Sequence, residues 1–182
     1  MKTFLILLLL SVPAAAQETE TNERETSLFE ATIYTGVPAL TITTMAWIKP
    51  LSEQESFADN LAWGFQNPPV WDNNPWYVNY VCHPIAGSEY YLVARNRNHS
   101  QLASFIYSTS LSVAWEYGIE PWIGARPSIQ DLLITSTVGS VLGELRYRAR
   151  RKLKMSNSDS TWNKIAIVVL DPIDSLYEAL EK

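Results

Sequence analysis

Three stretches in the middle of the chain space their apolar residues in a way that predicts helices. They cover about residues 76–97, 101–117 and 128–153. The third has a start signal, because Ser128 can cap the first turn and an acid follows three positions later, as in a capping box. Two shorter helices are expected within residues 162–180. We therefore predict an all-α fold, a compact bundle of about five to seven helices.

Prolines and glycines mark the expected ends of these helices. Pro84 either starts the first helix or kinks it at His83. Gly118 is expected just past the end of the second helix, and Pro172 near the start of the last one. Residues 63–80 are rich in aromatic side chains but are interrupted by turn formers, so we expect a loop. Its rings suit either a membrane–water boundary or the lid of a small core.

Each central helix carries a row of residues spaced four positions apart, and small side chains dominate the second and third rows. The rows are His83, Gly87, Tyr91 and Arg95, then Ser104, Ser108, Ser112 and Glu116, then Asp131, Thr135, Gly139 and Gly143. Residues four apart share a helical face, and small ones let another backbone approach closely. We predict that the three helices pack through these rows and hold a polar cluster where they cross.

Three ionisable members of these rows are the candidate catalytic residues: His83, Glu116 and Asp131. A carboxylate in the last turn of a helix costs about 0.3 to 1 kcal/mol unless it is paired. Glu116 is therefore expected to have a partner, either His83, Arg126 or an arginine of the third helix. Glu116 could be a buried structural group, a general acid or base, a metal ligand, or exposed. The same alternatives apply to His83, whereas Asp131 is interpreted mainly as a capping residue.

Other reactive groups give weaker signals. Cys82 and His83 are adjacent, and neighbouring helical residues point about 100° apart, so a Cys/His nucleophilic pair is poorly supported. His99 is expected at the surface. Glu144 either reaches the polar cluster at the helix crossings or faces water, and the second interpretation is favoured. The sequence contains no nucleotide-binding, zinc-protease or serine-hydrolase motif. It therefore predicts no cofactor and no dedicated metal site.

The chain begins with the features of a signal peptide. A lysine precedes an apolar run of nine residues, and three alanines then offer a cleavage site. We expect residues 1–16 to be removed, with an uncleaved anchor as the alternative. Residues 17–27 are expected to be a polar leader, and residues 28–182 one helical domain. Residues 31–48 carry no charge, so they either insert into a membrane or form an interfacial or core helix pair broken near Gly36.

Composition and charge narrow the class of protein. The 182 residues are 47% hydrophobic and include one Cys, which excludes wholesale disorder and a disulfide scaffold. The net charge is −5, yet one short stretch holds six cations: Arg146, Arg148, Arg150, Arg151, Lys152 and Lys154. These cations either keep a helix end soluble or meet anionic lipid head groups, where each contributes about 1 kcal/mol. An acidic exported chain is not expected to bind nucleic acid.

Three blocks occur in order within residues 71–148. They are WDNNPWYVNYVCHPIAGSEYYLVARNRN, SFIYSTSLSVAWEYGIE and PSIQDLLITSTVGSVLGELRYR. They resemble the pattern of an uncharacterised bacterial family of the domain-of-unknown-function kind. Its pattern positions on this sequence are Asp72, His83, Gly87, Glu116, Ser128, Asp131, Gly139, Gly143, Glu144 and Arg146. Asn74 stands where the pattern often has an acid, which weakens a metal-binding interpretation of that loop. The resemblance implies an exported protein of the bacterial envelope and supplies no catalytic residues.

Two classes of function follow. The first is a non-enzymatic envelope protein of the periplasm or outer membrane, a helical module at a membrane surface that binds lipid or another envelope protein. The second is a hydrolase or transferase acting on envelope lipid or cell-wall material, with His83 and Glu116 as an acid/base or metal-binding pair. Convergence of these two side chains at the base of an open pocket favours the enzyme, and burial beneath aromatic rings favours the scaffold.

Overall fold

The computed structural model describes residues 57–123, 125–156 and 158–180. These ranges are helical and contain no strand, which confirms the predicted all-α bundle. The helices are α1 (Phe57–Gln66), α2 (His83–Arg95), α3 (Gln101–Ala114), α4 (Ile129–Leu133), α5 (Gly139–Met155), α6 (Thr161–Leu170) and α7 (Pro172–Leu180). Five-residue π-helical turns extend or join them at Val78–Cys82, Trp115–Ile119 and Ile134–Val138, and a 3-10 turn covers Glu120–Ile123.

Helix α2 packs against both α3 and α5 through the predicted rows. The approach to α5 is closest at two glycines, since a Cβ atom on Gly139 would lie 2.7 Å from the Cα of Gly87. Ser108 Oγ donates a hydrogen bond to the Gly87 carbonyl oxygen at 3.0 Å and ties α3 to the same point. One turn further along, a Cβ atom on Gly143 would lie 2.8 Å from the Tyr91 ring. The small residues therefore let three backbones meet.

The interior of the bundle is mainly polar. Among the residues that the structure describes, four hydrophobic side chains are buried, from Tyr91 to Ala94, against fourteen that are polar or charged. Ser104, Ser108 and Ser112 of α3 are all within 2% of complete burial. Polar side chains thus fill the space between α2, α3 and α5.

The exterior of the same helices is apolar. Leu102, Ile106 and Val113 of α3 are 40% to 68% exposed, and at about 100° per residue they lie opposite the serine row. The long helical segment formed by α4 and α5 exposes Ile129, Leu133, Val138, Val141 and Leu145. No helix in the described ranges has both the length and the apolar character needed to cross a membrane. Polar residues therefore fill the space between the helices, and apolar residues cover the outer faces of α3 and of residues 129–145, whereas the second half of α5 exposes several cations.

Several predicted boundaries need correction. Helix α2 ends at Arg95, before residue 97, because the chain turns through Asn98 with a φ of 60°. Gly118 does not end the second helix, because it lies inside the π turn Trp115–Ile119. The aromatic stretch is not wholly a loop, since its first residues belong to α1 and its last ones to helical turns before α2. The predicted pair of C-terminal helices is confirmed, with Pro172 opening α7. The predicted signal peptide, the leader and the uncharged segment lie outside the described residues.

A candidate functional site at the helix crossings

His83 opens α2 and contacts two side chains of the facing helix. Its Nδ1 lies 3.0 Å from Thr135 Oγ1, and its Nε2 lies 3.3 Å from Asp131 Oδ2. Thr135 and Asp131 are 3% and 2% exposed. Both contacts depend on the crossing of Gly87 and Gly139 one turn along, which brings the two backbones together. The imidazole is thus held at both ring nitrogens.

Glu116 reaches the same point from the end of α3. It is 1% exposed, and it accepts a hydrogen bond from the Ser128 backbone N–H at 2.7 Å. Of the expected partners, His83 lies nearby, within 4.8 Å, whereas Arg126 donates instead to the Pro68 carbonyl oxygen at 2.5 Å. One potential ligand atom from each of His83, Glu116 and Asp131 lies within 4.8 Å of the other two. We call these three residues the His–Glu–Asp cluster.

A π-helical turn adjoins each member of the His–Glu–Asp cluster. Val78–Cys82 ends immediately before His83, Trp115–Ile119 contains Glu116, and Ile134–Val138 begins three residues after Asp131. A π turn inserts one residue into the helical hydrogen-bond pattern, and such turns occur frequently at functional sites. The direction of the three side chains therefore depends on these turns as well as on the four-residue spacing.

The loop before α2 adds a further carboxyl group to the site. Val70 exchanges backbone hydrogen bonds with the residues that begin α4, which fastens this loop beside the cluster. Asn79 Nδ2 donates to Asp72 Oδ1 at 2.6 Å. The carboxyl group of Asp72 lies near enough to that of Asp131 for each to affect the pKa of the other. Two neighbouring carboxylates repel each other when both are ionised, so this pair favours the uptake of a proton or a cation.

Burial and crowding of acids set the protonation of the site. Burial, reinforced by neighbouring acids, raises the pKa of Glu116 to about 8 despite its hydrogen bond from Ser128. Burial and the adjacent Asp72 raise the pKa of Asp131 to about 8. Burial would also raise the pKa of Asp72, but its hydrogen bonds outweigh that effect and lower it. Burial lowers the pKa of His83, and the charge of Asp72 offsets this only in part. Without a cation at the site, the raised pKa values favour the protonated forms of Glu116 and Asp131, and the lowered pKa of His83 favours its uncharged imidazole.

A cavity of about 290 Å³ borders the cluster. Its polar lining consists of Asp72, Asn73, Asn74, Glu120, Arg126, Ser128 and Asp131. Asp131 is the member of the His–Glu–Asp cluster that reaches the cavity wall, and His83 and Glu116 do not line it. The side chains of His83 and Glu116 thus lie close together, as the enzyme interpretation requires, but Asp131 and not these two residues borders the cavity.

The arrangement suits two kinds of chemistry. A neutral imidazole beside protonated carboxyl groups pairs a proton acceptor with proton donors, as general acid–base catalysis requires. The same imidazole nitrogen and carboxylate oxygens are the ligands that divalent transition metals prefer in proteins. All three members of the His–Glu–Asp cluster could hold such an ion.

Two roles predicted from the sequence are wrong. The side chain of Asp131 does not cap a helix: Ser128 Oγ accepts from the Asp131 N–H at 3.1 Å, and the Asp131 carboxyl group turns to His83. Glu144 does not face water, because its carboxylate accepts from Tyr91 Oη at 2.8 Å and from Arg95 Nε at 2.9 Å. In both cases a contact with α2 draws the carboxyl group inward.

Two residues near the site were overlooked in the sequence. Asn79 is 2% exposed and holds Asp72, and Glu120 lies on the cavity wall. Asn79 precedes His83 by four positions, and Glu120 follows Glu116 by four. Extending the predicted rows by one step would have found both.

The basic stretch is largely engaged within the chain. Arg146 contacts Glu89, Arg148 contacts Glu144, and Lys154 contacts Glu178, at 2.5 to 2.7 Å. Arg150 is 5% exposed and lies 2.5 Å from an Asp174 carboxylate oxygen. Arg151 and Lys152 are exposed, and neither joins an ion pair within the described part of the chain. Most of this positive charge therefore already has a negative partner.

The fold and the site define an all-α bundle with a buried histidine–carboxyl cluster. Residues 68–173, more than half of the chain, match the family described as Domain of unknown function (DUF3943). The chain belongs to this family, and the whole His–Glu–Asp cluster lies within the matched range. No curated protein matches the chain, and no solved structure does.

Proposed function

We propose that this protein is exported to the cell envelope and that its bundle rests with its apolar exterior against the acyl chains of membrane lipid. The observation that carries the proposal is the distribution of polarity: among the residues that the structure describes, 23 large hydrophobic ones are exposed, while the buried ones are mainly polar. Exposed apolar surface costs about 25 cal/mol per Å² in water, and monomeric soluble proteins rarely expose large contiguous patches of it. Contact with lipid removes that cost.

The packing of the interior supports the same proposal. Lipid tails are as apolar as leucine, so helices in lipid associate through small residues and interhelical hydrogen bonds instead. The Gly87–Gly139 contact and the hydrogen bond from Ser108 to Gly87 are interactions of this kind. The pairing of His83 with Thr135 adds a polar contact between helices.

The two ends of the bundle carry residues suited to the membrane–water boundary. Helices α2 and α5 run in the same direction, since His83 faces Thr135 at one end and Arg95 faces Glu144 towards the other. Exposed Trp71 and Trp76 lie near the first end, and aromatic rings concentrate at membrane boundaries.

The basic stretch lies at the other end of α5. Arg151 and Lys152 are exposed there and are available to anionic head groups. The intramolecular ion pairs of Arg146, Arg148, Arg150 and Lys154 limit what the rest of the stretch adds. We therefore propose that apolar contact provides most of the membrane affinity, and the basic residues a smaller part.

Flotation of the full chain with lipid vesicles tests the proposal. We expect the protein to float with both zwitterionic and anionic vesicles. It should also stay bound in about 1 M NaCl, where the Debye length is only about 3 Å and electrostatic attraction is screened. Release by salt would assign the binding to the basic stretch instead. Failure to float with either vesicle would contradict the proposal.

A charge placed on the apolar exterior gives a sharper comparison. Ile106→Glu introduces a carboxylate where the side chain is 55% exposed and should lower the bound fraction. Ser158→Glu adds the same charge at an exposed polar position between α5 and α6 and should leave binding unchanged. Circular dichroism checks that both variants keep the helical content of the wild type. Equal loss in the two variants would contradict a specific role for the apolar exterior.

A second candidate function is a hydrolase or transferase that acts on envelope lipid or cell-wall material. It is favoured by the cavity that reaches Asp131 and by the cluster of titratable groups behind it. In such a reaction uncharged His83 accepts a proton and the protonated carboxyl groups donate one. Product formation from labelled phospholipid or peptidoglycan, lost in His83→Asn and retained in His99→Asn, would establish it.

A further inference from the structure

We infer that His83, Glu116 and Asp131 form a binding site for a divalent transition-metal ion of the Zn²⁺ or Mn²⁺ kind. Each ligand comes from a different helix end, so the ion would join all three central helices. This inference does not depend on the proposed membrane association, and the two can fail separately.

The spacing of the ligand atoms is the first support. His83 Nε2 and Asp131 Oδ2 are 3.3 Å apart, and all three ligand atoms lie within 4.8 Å of one another. Ligands held about 2.0 to 2.2 Å from a tetrahedral ion lie about 3.4 Å apart. The histidine–aspartate pair already has that spacing, and Glu116 needs to close by on the order of 1 Å.

The second support is an oxygen atom without a partner. Asp131 is 2% exposed, and its Oδ1 meets no hydrogen-bond donor in the described chain. The neighbouring side chain of Asp72 is also a carboxyl group and has no N–H or amide group to donate. A cation bound through Oδ2 would offset the negative charge of this carboxylate, because cations compensate buried carboxylates that lack other partners.

Contacts around the cluster orient the ligands. Thr135 Oγ1 lies 3.0 Å from Nδ1 of His83, which directs the opposite ring nitrogen towards Asp131. The Ser128 N–H fixes one oxygen of Glu116. The cavity at Asp131 gives an ion a route to the site and leaves room for water or a substrate group beside it. The site is thus supported on its inner side and open on one face.

Calorimetric titration of the full chain in detergent, after treatment with a chelator, tests the inference with Zn²⁺ and Mn²⁺ as separate probes. We expect one ion to bind per chain. Glu116→Gln and Asp131→Asn should each weaken binding by more than about tenfold, since even changes around the ligands cost about 10- to 100-fold. His99→Ala removes the histidine outside the cluster and should bind as the wild type does.

The glutamine variant keeps the inference testable if other variants fail to fold. Glu116→Gln preserves side-chain size and retains a carbonyl oxygen for the Ser128 N–H. X-ray absorption of the zinc-loaded wild type should show nitrogen and oxygen ligands at about 2.0 to 2.2 Å, whereas a sulfur ligand at about 2.3 Å would place the ion at exposed Cys82. Such a sulfur signal, no binding of either ion, or equal affinity in the wild type and Glu116→Gln would overturn the inference.

Discussion

A Cβ atom placed on Gly139 would lie 2.7 Å from the Cα of Gly87, so α2 and α5 touch backbone to backbone. This contact fixes the distance between the two helices one turn away, where His83 meets Thr135 and Asp131. The candidate site therefore depends on both residues being glycine, because a side chain at either position would push the two helices apart.

The first prediction concerns this crossing. Gly139→Ala should lower the free energy of unfolding by about 1 to 3 kcal/mol, because the added methyl group must displace the backbone of Gly87. Urea denaturation followed by circular dichroism measures the change. Gly118→Ala is the matched control, because a Cβ atom there meets nothing within 4 Å. Alanine at residue 118 should be neutral or stabilise by up to about 1 kcal/mol; equal losses in both variants would contradict a close crossing.

The second prediction concerns the buried cation of α5. Arg150 is 5% exposed and faces Asp171, Asp174 and Glu178. Arg150→Met should destabilise the protein by about 3 kcal/mol, because it leaves the buried carboxylate of Asp171 and the partly buried one of Asp174 without their cation. Arg151→Met removes an exposed neighbour and should change stability by no more than about 0.5 kcal/mol. Thermal unfolding of the two variants compares them; a similar effect of both would show that Arg150 is solvated.

The third prediction concerns pH. Burial would raise the pKa of Glu144, but hydrogen bonds from Arg95, Arg148 and Tyr91 outweigh it and lower this pKa below 4.5. Because the folded state has the lower pKa, the stabilisation is present above the unfolded pKa and is lost as the pH falls through the folded value. Glu144→Gln should therefore lower Tm at neutral pH, and its difference from the wild type should shrink below about pH 4. A Tm difference between Glu144→Gln and the wild type that grows in acid would contradict a lowered pKa of Glu144 in the folded protein.

The helices and their contact faces could be predicted because they follow from local rules. The four-residue spacing of Ser104, Ser108 and Ser112 places them on one face wherever the helix lies in the protein. The Ser128 cap likewise needs only its own first turn, and the structure shows it. The ionisable groups at the ends of these rows, His83 and Glu116, could be identified for the same reason.

The protonation and orientation of the site could not be predicted, because they depend on distant neighbours. Asp131 has a favourable place in the first turn of its helix, yet packing against α2 turns its carboxyl group to His83. Glu144 meets Tyr91 from 53 positions away, a contact that the sequence pattern does not encode. The π turns further change the direction in which the neighbouring side chains point, because each turn inserts one residue into the helical hydrogen-bond pattern.

The ion-pair partners of the basic stretch could not be predicted for a related reason. Six cations at the end of a helix are typical of a solvated or lipid-facing segment. In the structure α7 lies beside the second half of α5 and supplies Asp174 and Glu178 as partners for Arg150 and Lys154. Whether a charge faces solvent thus depends on where the following helix lies, and that is a property of the tertiary fold.

The most direct test of the account is an anomalous difference map from crystals of the full chain grown with Zn²⁺. We predict one strong peak about 2.0 to 2.2 Å from His83 Nε2 and from carboxylate oxygens of Glu116 and Asp131. A map with these three side chains apart, or with density only at Cys82 or His99, would contradict both the helix crossing and the site that it supports.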